Sequence, residues 1–297
     1  MLLAVSLTLS THANVHAEHI MINLQKLDRP DILRVLFHPR GTVRSAPPEG
    51  AANIDIPVSG DIIIGSRLFT ADKAAPVILF FHGNGETVPE YDDIGPIYAG
   101  LGLNFLITDY RGYGWSTGTP SATTLISDGR IIYREITRWL EDNGYTGKLF
   151  VMGRSMGSAP AIDLAAQNYD RLGGLIIESG FAETIPLVRT LGLDLESLGI
   201  REQDCFNNTE KIMRVTIPTF ILHGQQDTLI PLWQAQKLHA ACGAKSKEMQ
   251  IVPGANHNTL IAAAGMLYFQ AIKGYVDKVS GTSSWRQRRK NFNQSTD

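Results

Sequence analysis

Three residues of this 297-residue chain have the types and settings needed for nucleophilic chemistry. Ser155 stands in "VMGRSMGSAP", a G-x-S-x-G pattern between the apolar run "KLFVM" and the small-residue run "SAPAIDLAA". With glycine near its average frequency of ~7%, chance alone gives the pattern to roughly one chain in ten of this length. Its surroundings say more. A serine nucleophile works on a sharp turn between a buried strand and a helix, where small neighbours let the backbone close and leave the hydroxyl exposed. The helix start behind it turns free N–H groups toward developing negative charge.

A serine hydroxyl needs a base. His257, in "GANHNTL", follows the last strand-like run; taken alone it is a surface-loop histidine. That histidine needs a carboxylate to fix its tautomer. Asp227, in "LHGQQDTLIP", lies just past another such run; taken alone it reads as a helix N-cap. The order Ser155, Asp227, His257, each beyond the carboxyl end of an expected strand, gathers them at one edge of a parallel sheet. Glu178, at the end of "LIIES", is the rival acid. Attack on a carbonyl also needs preplaced donors for the oxyanion. The Met156 N–H is one by position, and Asn84 in "FFHGNGET" is the second, between glycines that permit unusual backbone angles.

Elements able to hold these residues recur along the chain. "APVILFFHGNG" (75–85), "LGLNFLITDYRGYG" (101–114) and "GKLFVMGRSMG" (147–157) are continuous apolar runs ending in glycine-rich turns, and "GLIIESG", "PTFILHG" and the weaker "EMQIVPG" repeat the form. Unbroken apolarity fits strands buried on both faces. Helical periodicity lies between them at 121–142, with Ser121 as N-cap and Gly144 as stop, at 156–169, at 231–242 with Pro231 in the first turn, and at 259–279. The alternation predicts an α/β fold: a mostly parallel sheet with helices on both faces. Ahead of it, "ANIDIPV" and "DIIIGSRLF", joined at Ser59-Gly60, form an antiparallel hairpin. One domain is expected over 25–280, with 182–217 as a small helical insertion over the sheet.

Composition narrows the partners. At 43% hydrophobic and 19% charged, with net charge -2, nothing points to nucleic acid or a charged membrane surface. No apolar run reaches the ~18 residues of a membrane helix. Cys205 and Cys242 are read as free thiols. The start, "MLLAVSLTLSTHANVHAEH", has the outline of a secretory leader without its basic n-region, and Met21 offers a second start. Residues 1–24 are therefore expected to be a leader or an untranslated or disordered segment; the expected compartment is the cytoplasm, or the periplasm or exterior if 1–17 are cleaved. The basic tail, 281–297, is expected to be disordered. His12, His16 and His19 have helical spacing but lack the glutamate of H-E-x-x-H, so no metal is expected, and no dinucleotide or phosphate loop is present.

Taken in order over about residues 76–258, "FFHGNG", "DYRGYGWSTG", "GRSMG", "ILHGQQDTLIP" and "PGANHN" resemble the motifs of the α/β-hydrolase fold serine hydrolases, in their serine-aminopeptidase-like and ABHD-type branch. The resemblance implies that Asp109, Arg111 and Gly112 shape a loop beside the site, and that His82 and His223 are structural. It implies a cofactor-free hydrolase acting on a small acyl substrate. The chain departs from the aminopeptidases in its short insertion, where Glu183, Asp194 and Glu196 match no amine-holding acids. Carboxylic esters or thioesters are thus the expected substrates, with amide or peptide cleavage, or ligand binding without turnover, as alternatives. The insertion, Tyr113 and Trp115 are expected at the mouth of the site.

Overall fold

The computed structural model describes residues 24–282. The candidate leader segment, the three early histidines and the basic tail lie outside these residues. Eight strands form one sheet: β1 (Ala51–Ser59), β2 (Ile62–Phe69), β3 (Val77–Phe81), β4 (Asn104–Thr108), β5 (Leu149–Arg154), β6 (Leu172–Glu178), β7 (Thr219–Gly224) and β8 (Lys247–Val252), in the spatial order β1-β2-β4-β3-β5-β6-β7-β8. Only β2 opposes the rest, pairing antiparallel with both β1 and β4. The hairpin strand β1 alternates, burying Ile54, Ile56 and Val58 and exposing the residues between them. The strands at the centre do not alternate. Val77, Leu79 and Phe81 face one core and Ile78 and Phe80 the other, so every residue of β3 is buried. Each such side chain contributes on the order of 1.5–3 kcal/mol. This is why the run reads as unbroken apolarity.

Nine α-helices flank the sheet among the described residues: α1 (Pro30–Leu36), α2 (Gly95–Gly100), α3 (Ala122–Asp142), α4 (Ser158–Ala166), α5 (Thr184–Thr190), α6 (Asn208–Met213), α7 (Leu232–Ala241), α8 (Leu260–Ala264) and α9 (Met266–Ser280). In α3, Leu125, Ile132 and Ile136 point into the larger core, which also takes α4, α6 and α7. Tyr98 of α2, Leu260 of α8 and Phe269 of α9 build the other. Ser121 caps α3, its hydroxyl accepting from the Thr124 N–H at 3.1 Å, and Gly144 takes φ +76° past the helix end.

Three expectations need correction. The periodicity over 259–279 is split, because Gly265 at φ 54° and ψ −135° adopts a glycine-only conformation between α8 and α9. Pro231 is the N-cap of α7 rather than part of its first turn. Within 182–217, α5 lies near the site, but α6 packs against α4 and α7 as part of the helical layer.

Candidate active site

The strand register brings the ends of β5, β6 and β7 level: Arg154 pairs with Glu178, and Glu178 with Leu222. The next residue after β5 is Ser155, with φ 53° in the left-handed region. L-residues enter that region only at a cost of roughly 1–2 kcal/mol. The turn is tight on both sides. A Cβ at Gly153 would strike the Gly157 carbonyl, and one at Gly157 would strike the Phe81 carbonyl at the end of β3. The Ser158 hydroxyl donates to the Ser155 carbonyl at 2.6 Å and holds the turn from inside.

Ser155, Asp227 and His257 meet above this edge. Ser155 Oγ lies 2.9 Å from His257 Nε2, and His257 Nδ1 lies 2.8 Å from Asp227 Oδ2. All three residues are buried. The other carboxylate oxygen of Asp227 accepts the backbone N–H groups of Leu229 at 3.0 Å and Ile230 at 2.8 Å, which fixes the carboxylate plane. Glu178 does not reach His257. Its oxygens instead accept from Arg154 Nε at 3.2 Å and from the Tyr268 hydroxyl at 2.6 Å.

Arg154 is the unspecified second residue of the G-x-S-x-G pattern, and sequence reasoning passed over it. Its guanidinium donates to Glu178, Glu86, the His257 carbonyl at 3.0 Å and Asn258 Oδ1 at 3.0 Å. Glu86 in turn accepts the Gly83 N–H at 2.7 Å. One partly buried cation thus ties the turn of the serine, the loop of the histidine and the loop of Asn84. Among the described residues, the backbone N–H of Asn84 has no partner. The side-chain amide of Asn84 is fully engaged elsewhere, with Leu36, His38 and Tyr113. Only the backbone N–H of Asn84 is therefore free to serve an oxyanion.

Neither His82 nor His223 hydrogen-bonds Ser155, though His223 Nε2 lies 3.5 Å from Asp227 Oδ2. His82 Nδ1 is 2.8 Å from the Gly83 carbonyl and Nε2 is 3.1 Å from Asp109 Oδ1, while Val88 N–H also donates to Asp109. Arg111 forms a two-point ion pair with Asp128. His223 Nε2 donates to the Ile230 carbonyl at 2.7 Å, and its Nδ1 is buried without a partner. Burial holds the His223 imidazole below the ordinary histidine range. The folded state then stays neutral where the unfolded chain, titrating near ~6.5, takes up a proton. Stability contributed by His223 is full above that pH and is lost as pH falls below it. Comparing urea unfolding at pH 7.5 and 5.5, the wild type is expected to lose more stability than His223→Gln, whose amide can still donate to Ile230; equal losses would refute this account.

Beside the serine lies a cleft of about 470 Å³, lined by Leu36, Phe37, Asn84, Met156, Phe181 and Phe206, together with Leu187, Leu191 and Leu229. Tyr113 reaches this region through Asn84, but Trp115 does not. Trp115 donates to Asp55 at 2.9 Å and lies beneath Arg67 on the hairpin, a correction to its expected place at the mouth. The free Cys205 and Cys242 are both buried, and burial pushes the Cys205 thiol up, far from reactivity.

A sheet of this order, a strained serine after β5 and an acid and histidine after β7 and β8 define the architecture of the α/β hydrolases. The family model for serine aminopeptidase, S33, matches residues 72–195 and 202–262. The chain belongs to this family. It is 31% identical over 211 residues to Protein bem46 of Schizosaccharomyces pombe, spanning 69% of this chain and 68% of that one. It is 27% identical over 261 residues to an uncharacterized protein of Mycobacterium tuberculosis, covering 83% and 88%. Among solved structures, the Pyrococcus furiosus esterase Pf2001 superposes with a TM-score of 0.66 at 16% identity, covering 81% of this chain and 98% of that one. Est1E of Butyrivibrio proteoclasticus, solved with ferulic acid, gives 0.63 at 18% identity, covering 76% and 98%. No helix among the described residues is long and apolar enough to cross a membrane.

Proposed function

We propose that the protein is a serine hydrolase of carboxylic esters or thioesters that works through an acyl-enzyme on Ser155. The observation that carries this reading is the unbroken line from Ser155 Oγ through His257 to Asp227, at 2.9 Å and 2.8 Å, on the floor of an apolar cleft. Ser155 Oγ attacks the acyl carbonyl and its proton passes to His257 Nε2. Asp227 stabilises the imidazolium that forms. The Asn84 and Met156 backbone N–H groups hold the oxyanion. Collapse expels the alcohol or thiol with the proton from His257, and a water activated by the same base releases the acid. No step needs a cofactor.

The family's name favours a second reading, cleavage of aminoacyl amides. Against it stand the acids of the segment after β6. Glu183 pairs with Lys237, Asp194 accepts from the Glu196 backbone, Glu196 pairs with Arg189, and Glu202 accepts the N–H groups of Thr184 and Ile185. Among the described residues, none of those lining the cleft is acidic and able to receive an ammonium group. The test is labelling by a fluorophosphonate followed by peptide mapping, with turnover compared on matched short acyl esters and aminoacyl amides. The expected adduct sits on Ser155, and esters are turned over faster. An unlabelled protein, or an adduct elsewhere, would defeat the serine mechanism; faster amide cleavage would overturn the substrate class alone.

A further inference from the structure

The family match begins at residue 72, yet one wall of the cleft is built from residues ahead of it. Helix α1 is anchored in the core by Ile32 and Leu36, and the next residue, Phe37, is 4% exposed. Leu36 and Phe37 both line the cleft beside Ser155. The same segment, with Tyr113, holds the Asn84 side chain. Asn84 Nδ2 donates to the Leu36 carbonyl at 3.0 Å, and Asn84 Oδ1 accepts the His38 backbone N–H at 2.9 Å and the Tyr113 hydroxyl at 2.6 Å.

These partners settle the amide's orientation, since a backbone carbonyl can only accept and a backbone N–H can only donate. The second hydrogen on Asn84 Nδ2 is then directed to His38 Nδ1, 2.8 Å away. In this hydrogen bond His38 Nδ1 is the acceptor. A histidine outside the family match therefore completes the hydrogen bonding of the residue whose own backbone N–H stands free at the cleft.

We propose that the segment Pro30–His38 is a working part of the active site, and that His38 is a positioning residue holding the Asn84 loop in register for the oxyanion. The proposal rests on the ester-hydrolase reading for its consequence in turnover, but its brace can be tested without turnover. An oxyanion donor displaced by about an ångström loses much of its effect, whereas binding of the neutral substrate in an apolar cleft is little changed.

The experiment compares wild type, His38→Ala and His38→Asn in the full chain. Asparagine can place a non-titrating acceptor near the position of Nδ1; alanine cannot. On a short p-nitrophenyl ester, His38→Ala is expected to lower kcat by about tenfold or more with KM within about twofold. His38→Asn should restore most of kcat. Hydrogen exchange at residues 83–86 should quicken in His38→Ala and not in His38→Asn. Wild-type kcat and exchange in His38→Ala would overturn the proposal, as would a raised KM with kcat intact or a His38→Asn variant as impaired as alanine. If His38→Ala fails to fold, His38→Asn decides: wild-type exchange and near-wild-type kcat uphold the acceptor role, and impairment of both overturns it. A wild type inert toward esters would count against the hydrolase reading, while the exchange arm still judges the brace.

Discussion

Ser155→Ala and Ser155→Gly are both expected to lose ester turnover by on the order of 10⁶-fold, the scale of deleting a triad nucleophile, and the glycine variant is expected to be the more stable of the two by about 1 kcal/mol. Both remove the hydroxyl and its bond to His257, so they differ only in what the backbone tolerates. Elsewhere in a fold, alanine is more stable than glycine because it restricts the unfolded chain, by about 0.4–1 kcal/mol. Here the sign reverses, because residue 155 is held at φ 53°. The strain is imposed from outside: Gly153 and Gly157 leave no room for the turn to relax, and Ser158 Oγ ties down the Ser155 carbonyl. Urea unfolding of the two variants reads the strain, and turnover reads the chemistry. An alanine variant as stable as the glycine one would show that the serine is not held in that conformation by its surroundings.

Much of this arrangement was legible in the residues. Strands buried on both faces advertise themselves as unbroken apolar runs, which is why 77–81, 104–108 and 149–154 could be placed without a structure. The residues at their carboxyl ends inherit a common edge from the topology, so the G-x-S-x-G pattern, the loop settings of Asp227 and His257 and the order of the three together led to side chains that lie within hydrogen-bond distance of one another. What escaped has a common physical cause. Arg154, His38 and Leu36 act through contacts with residues dozens to more than a hundred positions away, and no local period carries such contacts. Trp115 was misplaced for the same reason: its partner Asp55 belongs to the hairpin. Gly265 was missed because the apolar spacing of α8 continues into α9 while the backbone between them does not.

The site is also held by more than its hydrogen-bonded line. Arg154 joins two carboxylates to the His257 loop, and its side chain is only 12% exposed. A charge so placed is tolerable because Glu86 and Glu178 both face it. Those same pairings occupy Glu178, the acid nearest in sequence logic to a role as the partner of His257. Arg154 therefore does two things with one group: it positions the histidine loop and keeps the rival carboxylate occupied. That Asp227 rather than Glu178 faces His257 follows from this division as much as from its own 2.8 Å contact.

Asp227→Asn is expected to lower kcat by about 10⁴-fold with little change in KM or folding. The amide must satisfy two demands that a carboxylate meets without conflict. On one side the Leu229 and Ile230 N–H groups require an oxygen, and that leaves the NH₂ facing His257 Nδ1. An NH₂ there can only donate, so Nδ1 becomes the acceptor and the ring proton moves to Nε2. Nε2 then presents an N–H to Ser155 Oγ and cannot take its proton. The fold survives because the backbone caps keep their acceptor. Asp227→Ala lacks that acceptor and leaves two N–H groups without it, so it is expected to lose about 1–3 kcal/mol of stability as well. Steady-state kinetics and thermal unfolding on the pair separate the two functions of the carboxylate. Were Glu178 the working acid, Asp227→Asn would keep turnover within about tenfold of wild type and Glu178→Gln would show the large loss instead; that pattern would reassign the acid and leave Asp227 as the cap of its own loop.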